Sequence, residues 1–106
     1  LFKYRDLQFA KFEVLNGTPY RGLASNAENI LKRYGIPVVS TGNAPSEQEW
    51  EKSEIWIYKK NPGLEAALPL LQEIIPLEIV DKVGYYQETD VDASFILGKD
   101  FYKYAL

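Results

Sequence analysis

Two short stretches carry the side chains best suited to holding a ligand. Asn16-Gly17-Thr18, followed by Pro19, places an amide and a hydroxyl beside a permissive backbone position, and Asn43 lies in a second polar stretch, Thr41-Gly42-Asn43-Ala44. Farther on, Trp56 and Tyr58 alternate with Ile55 and Ile57. Successive side chains of a strand point to opposite faces, so a core that takes Ile55 and Ile57 sends Trp56 and Tyr58 to the far side of the sheet, where an open face is expected. Aromatic rings there stack on the apolar faces of sugars, and neighbouring amides and carboxylates hydrogen-bond the hydroxyls. Each candidate also has a structural reading. Asn16 and Thr18 suit a turn, although Asn16-Gly17-Thr18 also fits the glycosylation triplet. Trp56 and Tyr58 suit a patch covered by residues 1–8, by the 41–53 loop or by a partner subunit.

Other chemistries fail on residue type. Gly17 and Gly22 have the spacing of a phosphate loop, but Leu23 and Ala24 stand where a lysine and a hydroxyl are needed. Gly98-Lys99-Asp100 fails likewise, with Ala93 in place of the first glycine and Asp100 in place of the hydroxyl residue. Asp90 and Asp92 lack the glycine and terminal glutamate of a calcium loop and read as solvated carboxylates. The chain has no histidine and no cysteine, which removes the commonest base, thiolate zinc sites and disulfides together. Its 15 acidic residues allow many carboxylate pairs for glycoside chemistry, and nothing favours one pair. No catalytic residue, metal ligand or cofactor is therefore assigned.

A net charge of −3 and a pI near 4.9 give no field to attract a phosphate backbone, so nucleic acid is not an expected partner, and the charge also disfavours RNA on a sheet bearing aromatics. No apolar run approaches the roughly 18 residues of a membrane helix, and Leu1-Phe2-Lys3-Tyr4-Arg5-Asp6 is not a signal peptide, so this chain itself is not expected to contact a membrane. Opening on Leu1 and lacking methionine, it is expected to be part of a larger protein whose anchor or targeting signal lies elsewhere.

The elements that must position these residues follow from periodicity. Residues 10–16 alternate as a strand. Thr18 as N-cap and Pro19 as first helical residue predict a helix from Pro19 to Tyr34, with Leu23, Ala27, Ile30, Leu31 and Tyr34 on one face. Gly35 suits its C′ position. Ile36 to Ser40 reads as a peripheral strand, because Pro37 is tolerated only near a strand start or on an edge. Thr41 to Ser53 reads as a polar, mobile connection, and Glu54 to Lys59 as the next strand. Asn61-Pro62 starts a second helix to Ile75, with a kink or late start expected at Pro69. Glu78 to Val83 and Ala93 to Leu97 read as strands, separated by a turn region over Gln87 to Asp92. The order is that of a ferredoxin-like βαββαβ unit plus one strand, a two-layer α+β sheet of four or five strands with both helices on one face. Leu68 and Leu71 should join the helix and strand residues named above in its core.

Phe12-Glu13-Val14-Leu15-Asn16-Gly17-Thr18, Gly22-Leu23-Ala24, Gly35, Thr41-Gly42-Asn43-Ala44, Asn61-Pro62-Gly63 and Leu97-Gly98-Lys99-Asp100-Phe101 occur in that order at domain spacing. In them the chain resembles the LytR C-terminal domain, which follows the catalytic domain of many LytR/CpsA/Psr bacterial cell-envelope proteins. The similarity runs from Phe12 to Phe101. It implies a domain over 10–106 behind an N-terminal extension over 1–9. It also implies a non-catalytic accessory module with an extracytoplasmic, envelope setting, since glycopolymer transfer belongs to the separate catalytic domain. The polyprenyl-phosphate site of that domain has no counterpart here. The implied partner is peptidoglycan or another cell-wall glycan, or an envelope protein; the alternative role is a protein-interaction or spacer domain without glycan affinity. Gly17, Gly22, Gly35 and Gly98 are expected to serve the backbone, Gly17 at a tight turn and Gly98 through positive φ or close approach. Pro69 departs from the family's smooth alanine-rich helix, which puts the length of that helix in question.

Overall fold

Alternation in Phe12-Glu13-Val14 and in Ile55-Trp56-Ile57 sets one apolar face, and the helix stripes cover it. The computed structural model describes residues 10–44, 50–84 and 90–101. Residues 1–9, most of the expected connection between Ala44 and Trp50, part of the expected turn before Asp92, and residues 102–106 lie outside the described residues. The elements are β1 (Phe12–Asn16), α1 (Leu23–Arg33), β2 (Val38–Asn43), β3 (Glu54–Ile57), α2 (Pro62–Ile74), β4 (Glu78–Asp81), β5 (Ala93–Leu97) and a short 3-10 turn, Lys99–Phe101.

The five strands form one mixed sheet in the order β2-β1-β5-β3-β4. β1 pairs in parallel with β2 and β5, β3 pairs in parallel with β4, and the single antiparallel junction is β3 with β5. This is the ferredoxin-like, two-layer α+β architecture expected, with the fifth strand inserted between its two βαβ halves. Register brings Phe12 and Val14 level with Ala93 and Phe95, and Ile57 and Ile55 level with the same pair. These residues share one core with Leu23, Ala27 and Leu31 of α1 and Leu64, Ala67 and Leu71 of α2, so both helices cover the same face.

Five local expectations are corrected. α1 begins at Leu23, not Pro19, with Gly22 as N-cap at φ 84°. The hydroxyl of Thr18 binds within the preceding turn instead of capping a helix. β2 begins later and runs to Asn43, taking in the first residues of the expected loop. α2 is assigned unbroken through Pro69. Pro69 and Glu65 are both exposed, so the Glu65 carbonyl that loses its i+4 donor faces water, where the loss is cheapest. Finally, the face away from the helices is not open: on β5 both Ser94 and Ile96 are buried, at 0% and 2% exposure.

The helix ends otherwise match their sequence signals. Gly35, at φ 77°, follows the C-cap Tyr34, and the N–H groups of Gly35 and Ile36 donate to the Lys32 and Leu31 carbonyls, the paired bonds of a Schellman motif. Asn61 caps α2 by accepting from the Gly63 and Leu64 N–H groups at 2.9 and 3.2 Å, with Pro62 in the first turn.

Candidate functional site

Asn16 ends β1 and organises the chain beyond it. Its Oδ1 accepts from the Thr18 N–H at 2.9 Å and the Thr18 hydroxyl at 2.7 Å, and its Nδ2 donates to the Tyr20 carbonyl at 2.7 Å. The Tyr20 N–H in turn donates to Thr18 Oγ1 at 3.2 Å. This knot holds residues 16–20 in a turn and delays α1 until Gly22, whose left-handed backbone leaves the first helical turn without a side-chain cap. Between that turn and the carboxyl end of β2 lies a cleft of about 310 Å³, lined among others by Asn16, Thr18, Tyr20, Arg21, Thr41 and Asn43. The cleft lies outside the carboxyl ends of the adjacent parallel strands β1 and β2. The structure thus brings together three of the five residues singled out in the sequence.

Among the described residues, the Arg21, Ser25, Thr41 and Asn43 side chains make no hydrogen bond or ion pair. They offer the cleft an amide, two hydroxyls and one cation, and the lining contains no carboxylate. Such a set can hydrogen-bond hydroxyls and amides of a ligand, beside the half-exposed ring of Tyr20. Arg21, Ser25 and Thr41 were not among the expected contacts. Only the placement of the start of α1 against β2 reveals them, because Thr41 lies 20 residues from Arg21 and 16 from Ser25 in the chain.

Trp56 and Tyr58 lie elsewhere, on the sheet face away from the helices, and both are half-buried. Trp56 Nε1 donates to Glu54 Oε1 at 2.7 Å, the Trp50 ring meets the Trp56 ring edge-on at 5.9 Å, and Lys82 Nζ stands 4.8 Å from the Trp56 ring centroid. The Tyr58 hydroxyl donates to Ser94 Oγ at 2.8 Å, and Ser94 Oγ donates to Glu13 Oε1 at 2.5 Å. These rings are therefore engaged within the fold, and Trp50, from the 41–53 connection, covers part of Trp56.

The remaining motif residues tie the far end of the sheet. A Cβ on Gly17 would stand 2.6 Å from Trp50 Cγ and 2.8 Å from the Leu97 carbonyl oxygen, and the Gly17 N–H donates to that oxygen at 2.9 Å. Gly17 is required by crowding, not by the permissive φ expected of it, since positive φ occurs among the described glycines only at Gly22, Gly35 and Gly84. Gly98 is packed against the Lys52 backbone, where a Cβ would meet its oxygen at 2.6 Å. Asp100 Oδ1 accepts from the Ser53 N–H at 2.9 Å and the Ser53 hydroxyl at 2.6 Å, while Ser53 Oγ accepts from the Gly98 N–H at 2.9 Å. A sequence model of the LytR_C family, described as LytR cell envelope-related transcriptional attenuator, matches residues 10–101. The chain belongs to the LytR_C family. Both the cleft and the glycine ties fall within the LytR_C span.

The fold is also that of the crystallised soluble domain (residues 71–217) of a conserved hypothetical secreted protein, an Rv2700 ortholog from Mycobacterium marinum, at a TM-score of 0.70 and 21% identity. That match covers 90% of the LytR_C chain and 62% of the mycobacterial one, so the chain spans less than two thirds of its neighbour's length. No curated protein matches the chain in sequence. No helix among the described residues is long and apolar enough to cross a membrane, and their Asp and Glu side chains do not gather in threes as a metal site.

Proposed function

We propose that this LytR_C chain is the non-catalytic accessory domain of an extracytoplasmic bacterial cell-envelope protein, and that it holds a cell-wall glycan in the cleft between α1 and β2. The observation that carries the reading is the set of polar side chains left without partners in that cleft, Arg21, Ser25, Thr41 and Asn43, within a chain of an envelope-related family. Amides and hydroxyls suit the hydroxyl and N-acetyl groups of a wall sugar. A neutral glycan tolerates the net charge of −3.

Retention on purified bacterial cell walls, measured against an acidic control protein of matched size, tests this. The glycan reading expects retention above the control, reduced at least severalfold by Asn43→Ala. Retention no better than the control favours the interaction or spacer role instead.

A further inference from the structure

The cleft between α1 and β2 has an electrostatic sign. Arg21 is its only charged lining residue, and among the described residues no carboxylate stands within ion-pair distance of it. The first turn of α1, which supplies Ala24 and Ser25 to the same lining, has no acidic residue and no side-chain cap. The positive end of the helix dipole therefore adds to the arginine instead of being cancelled. Within a molecule of net charge −3, this corner is locally positive. A second cleft, of about 320 Å³, shows the contrast: there the lining cation Lys52 pairs with Glu78 at 3.4 Å, and Asp100 adds another carboxylate.

A guanidinium offers a rigid fork of donors and no acceptor, which a carboxylate or phosphate matches with two bonds at once and a sugar hydroxyl matches with one. We propose that the glycan held in this cleft carries an acidic group, a carboxylate or a phosphate, that docks on Arg21 while Thr41 and Asn43 hold the sugar. One cation in an acidic molecule suits one such group. A densely charged polymer is disfavoured, because the net charge of −3 repels every anionic group that Arg21 does not meet. The inference rests on the glycan reading and deepens it, by naming the feature that separates the ligand from a neutral wall sugar.

Disaccharides of matched skeleton test it: N,N′-diacetylchitobiose, its monophosphate ester, and the disaccharide of N-acetylglucosamine and N-acetylmuramic acid, which adds a lactyl carboxylate. Amide shifts of the isotope-labelled 106-residue chain give a dissociation constant for each. An acidic sugar should bind at least about threefold more tightly than the neutral one, a modest factor because Arg21 is exposed. Whichever acidic sugar gains identifies the group as carboxylate or phosphate. Raising salt from about 50 mM to about 500 mM should narrow the preference. Arg21→Gln should bring the acidic sugars down to the affinity that the same variant shows for the neutral one. Equal affinity for all the sugars in the wild-type chain, or a preference that survives in folded Arg21→Gln, would overturn this inference and leave the glycan reading standing. Binding of none of them would remove both.

Discussion

At the residue scale, the glycines and the Ser53–Asp100 pair decide how the ends of β1, β3 and β5 close. Gly17→Val forces a side chain into Trp50 and the Leu97 carbonyl and should cost about 3 kcal/mol. Lys32→Ala removes an exposed helix pair with Glu28, 3.6 Å apart, and should cost less than about 0.5 kcal/mol. Denaturant melts of the two variants check the contrast, and equal midpoints would refute the crowding account. Asp100→Ala leaves the Ser53 N–H and hydroxyl without their acceptor in a buried position and should cost about 1–3 kcal/mol by the same measurement. The sequence indicated that Gly17 and Gly98 serve the backbone. It did not indicate why Gly17 does, because the crowding residue, Trp50, arrives from 33 positions along the chain.

At the element scale, legibility follows locality. The Asn61-Pro62 start of α2 and the Gly35 stop of α1 are set by neighbours within a few residues, and both were legible. The start of α1 was not, because Asn16 captures the Thr18 hydroxyl that otherwise suits an N-cap. Leu31, fully buried on the α1 stripe, should cost about 2–5 kcal/mol when replaced by alanine. Pro69→Ala restores the N–H that the exposed Glu65 carbonyl lacks. It should raise stability by roughly 1–2 kcal/mol in denaturant melts, since part of the gain is offset by the freer unfolded chain. A loss of stability would show that Pro69 packs in a way the helix needs.

At the scale of the whole molecule, the sheet order was the least legible feature. Pairing β5 between β1 and β3 joins residues some 80 and 40 positions apart, and no turn signal encodes it. A cue was present all the same: Ala93 to Leu97 is buried at every position, and Ala-Ser-Phe-Ile-Leu is an uninterrupted run without charge, as expected of a central strand covered on both faces. The same insertion accounts for the fate of the aromatic candidates. With β5 beside β3, the Tyr58 hydroxyl finds Ser94, and Trp56 packs under Trp50 and Lys82. Asn16, Thr18 and Asn43 instead meet at the carboxyl ends of two adjacent parallel strands, beside the first turn of α1. The central claim, that this cleft holds a wall glycan, is tested most directly by amide chemical shifts of the isotope-labelled chain titrated with enzymatically solubilised peptidoglycan fragments. A glycan held there should give saturable shifts clustered at Arg21 to Ser25 and Thr41 to Asn43, with little change at Trp56 and Tyr58. Shifts centred on Trp56 and Tyr58, or none at saturating fragment, would contradict it.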